Sequence, residues 1–351
     1  MDADITRVEP VAGVISLIRP GQLLTDAPGA TAAARWTIAL AETDGVFRVR
    51  LSPGVDVCDL AATLRDQGHT ASPNHVLVGQ PLFFGGPASR PFPVDPVPPS
   101  TEALGEVPVT VAIADTGLAP HPWWRESAWF REGRQETEVP DGDGDGLLDA
   151  QAGHGTFVTG LVLRSAPEAR VRPLRVLDGR GIGDEAGLLR ALGRLASDPP
   201  QVLNLSLGCH TFDDRPSPLV EAALAGLGAT AVVACAGNTA SARPFWPAAL
   251  PGVIAVGALD AAEQARAPFS AHGPWVDAWT RGEWLRSAFL RHGAFRGYAA
   301  WSGTSFSAAV VSGAIAAATG ERSPLEAAAH VLDPARNRQI PDLGVVVPTP
   351  R

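Results

Sequence analysis

Apolar and polar positions alternate from Arg35 onward. This alternation predicts two strands, 36–40 and 46–51, joined at the turn dipeptide Asp44-Gly45. From Val55 to Gln67 the period changes. Val55, Leu60 and Leu64 fall on one side of a helix, so a strand-strand-helix unit is expected ahead of Ser72-Pro73-Asn74-His75-Val76. Residues 1–30 show no clear periodicity and predict no element.

Residues 85–107 hold many prolines and no period, as an extended semi-rigid linker does. Beyond them, apolar runs at 109–114, 171–176, 202–207, 231–234 and 253–258 predict strands, and helical periods predict helices at 154–163, 184–195, 219–227 and 305–318. Such alternation is the pattern of an α/β fold, a mainly parallel sheet with helices on both faces, here preceded by a small α+β N-terminal unit. The expected organisation is a unit over 1–84, the linker over 85–107, the main domain over 108–335 and a C-terminal tail over 336–351.

Composition narrows the picture. With 351 residues, 45% of them hydrophobic, the chain has enough apolar surface for one large core and a smaller one. The formal charge is −9, and all 28 basic residues are arginine, nowhere gathered as a nucleic-acid surface requires, so no nucleic-acid partner is expected. An odd cysteine count, Cys58, Cys209 and Cys235, fits buried thiols in a reducing compartment, although a Cys209–Cys235 bridge stays open at this level. Met1-Asp2-Ala3-Asp4 is acidic where an export signal is basic, so a cytoplasmic location is expected. Residues 297–320 carry no charge over a membrane-spanning length. Their many Ser, Thr and Gly suit a buried helix better, and no membrane partner is expected.

The chemistry concentrates at Ser302-Gly303-Thr304-Ser305-Phe306-Ser307-Ala308-Ala309, where Ser305 stands at a predicted helix start as a candidate nucleophile. A nucleophilic serine needs a base, and the base needs an orienting group. Asp115-Thr116-Gly117 ends a predicted strand, and Gly153-His154-Gly155-Thr156 opens a predicted helix, so Asp115, His154 and Ser305 supply all three in one of the chain orders known for this triad. Two other stretches carry ligand-like patterns. Asp141, Asp143, Asp145 and Asp149 lie in an Asp-Gly run that lacks the bidentate Glu of a complete EF-hand, since Ala152 holds that position. The run reads either as a looser calcium site or as solvated Asp-Gly turns. Gly181-Ile182-Gly183-Asp184-Glu185-Ala186 nominally fits a dinucleotide fingerprint, but two carboxylates at the helix start would repel a pyrophosphate.

The motifs Asp115-Thr116-Gly117, Gly153 to Gly160 and Gly303 to Ala308 resemble the three active-site signatures of the subtilases, the subtilisin-like serine peptidases. Ala236-Gly237-Asn238 resembles the segment carrying their oxyanion-hole Asn. The resemblance covers residues 107–334 and implies a subtilisin-like fold and a serine endopeptidase acting through an acyl-enzyme on Ser305, with no cofactor for the chemistry. It implies that Gly181, Ile182 and Gly183 form an edge strand pairing with the backbone of a peptide or protein substrate, faced by Ser206, Leu207 and Gly208. It also implies that Phe245, before Trp246-Pro247, floors the primary pocket and restricts it to small residues. The ending at Ser72 to Val76 is similar to that of subtilase propeptides, which implies an intramolecular inhibitor; read from the residues alone, the N-terminal unit is also open to being an unrelated accessory domain. One departure stands out. The family usually has Pro where this chain has Ala309, and this feeds the alternative of a subtilase-fold binding protein with weak or no turnover.

Overall fold

The computed structural model describes residues 4–79, 90–99, 109–133 and 136–350. In the N-terminal unit, β1 (Ser16–Thr25), β2 (Thr37–Thr43), β3 (Val46–Leu51) and β4 (Ala71–Val78) form an antiparallel sheet in the order β2-β3-β1-β4, with helix α1 (Val57–Asp66) packed on it. Asp44 and Gly45 take φ of 51° and 78° at the β2–β3 hairpin, the left-handed pair a tight two-residue turn demands. Asp56 caps α1 by accepting from the amides of Cys58 and Asp59, and Leu60 and Leu64 bury against Leu23, Val49 and Leu51. Strand β1 is one of the elements that periodicity does not disclose. Pro20-Gly21 interrupts it, and its pairing with β4 shifts register between Ile18 and Leu23, so no unbroken alternation exists to be read.

The main domain follows as β5 (Thr110–Asp115), α2 (His154–Ser165), β6 (Arg170–Arg175), β7 (Ile182–Asp184), α3 (Glu185–Ala196), β8 (Val202–Leu205), α4 (Pro218–Ala225), β9 (Ala231–Cys235), β10 (Val253–Leu259) and β11 (Ala278–Arg281). After these come the hairpin β12 (Leu285–His292) and β13 (Phe295–Trp301), helices α5 (Thr304–Ala318) and α6 (Pro324–Val331), and strands β14 (Arg338–Ile340) and β15 (Gly344–Val346). Eight strands make one sheet in the order β14-β15-β11-β10-β9-β8-β5-β6, parallel except for the β14–β15 pair. Alternate residues of each strand serve different faces. Val111, Ile113, Val202 and Val233 join α2 and α5 in one core, while Ala112, Ala114, Leu203 and Leu205 join α3 and α4 in another.

Two expectations change here, and one question left open is closed. Of the stretch expected as a C-terminal tail, residues 338–346 carry β14 and β15, which extend the sheet. The predicted strand 202–207 ends at Leu205, so Ser206, Leu207 and Gly208 leave the sheet and line the cleft. Cys209 and Cys235 are not bridged; all three cysteines are free and buried. Burial lifts the Cys235 thiol to about 12 and the Cys209 thiol well above its ordinary value, which leaves both protonated and inert. Among the described residues, no helix is long and apolar enough to cross a membrane. Both ends of the expected linker, 85–89 and 100–107, fall outside the described residues.

Candidate active site

Four candidate residues converge beyond the carboxyl ends of the parallel strands, where open α/β sheets place their sites. Asp115 ends β5, Asn238 follows β9, His154 opens α2, and Ser305 lies in the first turn of α5. Asp115 Oδ1 accepts from His154 Nδ1 at 2.7 Å and from the Thr116 amide at 2.7 Å. Asn238 Oδ1 accepts from both the amide and the hydroxyl of Thr304 at 2.8 Å, so the donor this side chain can offer is its NH2, on the opposite edge of the amide.

The cleft beside Ser305 holds the chain's own strand. β4 pairs antiparallel with β7, Leu77 opposite Gly183 and Val78 opposite Ile182, and the Gly79 amide donates to the Gly181 carbonyl at 2.9 Å. From the other side, Val78 and Gly208 exchange both backbone bonds at 2.9 and 3.1 Å. Segments 181–183 and 206–208 thus act together as a clamp on an extended peptide, the strand-addition mode of recognition. At the end of that peptide, the Ser305 hydroxyl donates to the Gly79 carbonyl at 3.0 Å and reaches the Ser206 carbonyl at 3.4 Å. It does not bond His154, and among the described residues Nε2 of that ring has no hydrogen-bond partner.

A family model of the subtilases matches residues 108–340. The chain belongs to the subtilase family. It is 32% identical over 223 residues to subtilisin Savinase of Lederbergia lenta, covering 59% of this chain and 75% of that protein. To a thermophilic serine proteinase of a Bacillus species it is 34% identical over 168 residues, 48% of this chain and 39% of the relative. To a thermostable alkaline protease of Halalkalibacterium halodurans it is 31% identical over 224 residues, 61% and 57% of the two chains. The match therefore spans well under two thirds of the length of the last two. Among solved structures, a cold adapted subtilisin-like serine proteinase shares the fold with a TM-score of 0.56 at 24% identity, over 75% of this chain and 96% of that one. A lanthipeptide protease shares it at 0.54 and 19%, over 68% and 85%.

Within this subtilase, the N-terminal unit is fastened to the main domain by more than the cleft strand. The His75 ring meets Glu185 Oε1 at 3.1 Å, Ser72 donates to the other Glu185 oxygen at 3.3 Å, and Asn74 accepts the Ala186 amide at the start of α3. Arg65 pairs with Asp213 at 2.8 Å, and Phe212 of the main domain enters the N-terminal core. Leu77 shares one buried apolar cluster with Leu188, Val220 and Leu250, against which Trp246 packs. Phe245 is 2% exposed, and its ring would meet a Cβ placed on Gly208 at 2.4 Å or on Gly237 at 3.0 Å, so it stands between the two segments flanking Ser305.

The acidic run separates into two parts. Carboxylate oxygens of Asp141, Asp143 and Asp145 gather within 4.8 Å of one another. Asp149 is not of that group and accepts the Gly142 amide instead.

The sequence motifs did not disclose Glu138. It is buried between the Asp115 loop and α2, and accepts hydrogen bonds from Thr116 and Thr156. Both threonines stand inside the signature motifs. Glu138 itself sits in a polar stretch without period, where a single sequence offers no signal for burial.

Proposed function

We propose that this chain is a serine endopeptidase, held latent by its own N-terminal unit. The observation that carries the reading is the extended segment 76–79, clamped by backbone bonds on both sides and ending with its Gly79 carbonyl 3.0 Å from Ser305 Oγ, beside a His154–Asp115 pair already bonded at 2.7 Å. In the reaction, His154 takes the Ser305 proton as the hydroxyl attacks the substrate carbonyl. Asp115 holds the ring in the tautomer that keeps Nε2 unprotonated, and stabilises the cation that follows. The developing oxyanion takes bonds from the Ser305 amide and the Asn238 NH2. His154 then returns the proton to the leaving amine, and water repeats the sequence on the acyl-enzyme.

With segment 76–79 in place, the Ser305 hydroxyl is spent on main-chain carbonyls and the clamp is full. Release of that segment frees both. The pockets that the segment uses define the substrate class: an aliphatic residue at the position of Leu77, and small rather than aromatic side chains in the primary pocket narrowed by Phe245. For calcium, the hard oxygens of Asp141, Asp143 and Asp145 suit a structural ion with no part in the chemistry. A rise in thermal midpoint with calcium, abolished in Asp143→Asn, tests that part.

The decisive experiment compares the purified chain with Ser305→Ala by intact mass. Wild type should cut itself at one of the peptide bonds next after Gly79, and Ser305→Ala should stay whole. Equal processing of both chains would remove Ser305 from the reaction.

A further inference from the structure

Glu138 has 5% of its surface exposed and takes no part in the steps above. Its Oε1 accepts from the Thr116 hydroxyl at 2.7 Å and from the Gly153 amide, and its Oε2 from the Thr156 hydroxyl at 2.8 Å. Each threonine oxygen is an acceptor as well. Thr116 receives the Gly155 amide at 2.9 Å, and Thr156 receives the Ala119 amide at 3.0 Å. The two loops are therefore cross-linked in both directions, since Thr116 follows Asp115 and is bonded from the His154 side, while Thr156 lies just beyond His154 and is bonded from the Asp115 side. A hydroxyl that accepts from an amide still has its own proton to give, and one carboxylate receives both.

We propose that Glu138 is a positioning residue: its ionised carboxylate fixes both threonine hydroxyls and the amide preceding His154, and thereby holds Asp115 and His154 in register with each other. This rests on the peptidase reading above. The site is also electrostatically apt, because the carboxylate sits at the amino end of α2, where unpaired amides favour negative charge. Burial pushes the Glu138 carboxyl up to about 7, and the nearby Asp115 charge adds to the rise, while the bonds from Thr116, Thr156 and Gly153 oppose it. The other groups bonded to it, the two threonines and Gly153, are neutral. Below that pH the protonated carboxyl becomes a donor facing three donors, and at least one bond must break. The clamp is complete above about 7 and is lost as pH falls through it.

The test uses the full chain and needs no turnover. A proton held between His154 Nδ1 and Asp115 gives a far-downfield proton NMR signal. In wild type, its position should show a step near the Glu138 value. Glu138→Gln keeps the shape but puts an NH2 donor against donors, and should shift the signal upfield or broaden it away, with the step abolished. Thr156→Val should reproduce the loss, while Thr156→Ser, which retains the hydroxyl, should not. If both Glu138→Gln and Thr156→Val leave the signal and its pH dependence as in wild type, the proposal is overturned. If Glu138→Gln fails to fold, the Thr156 pair decides by the same criterion. Failure of the peptidase reading shows elsewhere, as a chain that cleaves nothing yet still loses the signal in the variants. In a chain that does cleave, Glu138→Gln should lower kcat about tenfold with KM unchanged, as misplacement of a catalytic pair does.

Discussion

On its Nδ1 side, the His154 ring meets Asp115, and behind Asp115 lies a closed set of bonds through Thr116, Glu138, Thr156 and Gly153. On its Nε2 side, the hydroxyl it would serve donates to Gly79 and contacts Ser206 instead. The first region is made wholly of main-domain residues and is finished before any peptide arrives. The second is completed by whichever peptide occupies the cleft, which here is the chain's own. Permanent order is placed where the ring must not move, and exchangeable bonds are placed where substrate must enter. The latency proposed above needs no distortion of the His154–Asp115 pair, which keeps its 2.7 Å bond.

Breaking the permanent side should have the largest effect. Asp115→Asn keeps the shape but presents an amide to Nδ1, selecting the wrong tautomer, and self-processing should slow by about 10⁴ as followed by intact mass. On the other side, Asn238→Ala removes one donor to the oxyanion, and also the acceptor that Thr304 uses, so a loss of about 10² to 10³ in the same assay is expected. A loss under tenfold for Asn238→Ala would place the oxyanion elsewhere.

Loosening the occupant sharpens the comparison from the opposite direction. Val78→Pro deletes the amide that bonds the Gly208 carbonyl at 2.9 Å. One such bond is worth ~1 kcal/mol net, so Ser305 should react with a fluorophosphonate about fivefold faster in the intact chain. An unchanged rate would mean that the contacts at Glu185 and Asp213, rather than the cleft strand, govern access.

Sequence pattern disclosed the parallel sheet because its buried strands are short apolar runs such as 231–235, and its helices carry clear periods such as Leu188, Leu192 and Leu195. It disclosed Asp115, His154, Asn238 and Ser305, which the fold brings together, because each sits in a local motif. It missed β1, broken by Pro20-Gly21, and the β12–β13 hairpin, whose strands carry arginines at Arg286, Arg291 and Arg296 among their apolar residues. Glu138 and Asn204 escaped for a different reason. Each is polar and buried, and each has a buried partner distant in sequence, Thr116 for Glu138 and Ser312 for Asn204. Neither distance leaves a trace in local periodicity.

Asn204 bears on the smallest expected effect, at Ala309. Helix α5 runs unbroken through this position, where the amide of residue 309 faces the Ser305 carbonyl. That carbonyl has a second donor, the Ser206 hydroxyl at 2.9 Å. Ser206 is itself held by Asn204 Nδ2 at 2.9 Å, and Asn204 by the Ser312 hydroxyl at 2.9 Å, two turns along the same helix. The tether returns to α5, so it fixes the Ser305 backbone whether or not residue 309 has an amide. Ala309→Pro would remove one of two donors and press its ring toward that carbonyl, while the tether keeps the other in place. The ratio of ester to amide hydrolysis should therefore change by less than about threefold, within the worth of a single backbone bond. Combining Ala309→Pro with Ser206→Ala strips both donors, and the ratio should then move by more than the two single changes together, because neighbours that share an acceptor do not add. Additive behaviour of the pair, or a large shift from Ala309→Pro alone, would show that the helix amide and not the buried tether sets the nucleophile's position.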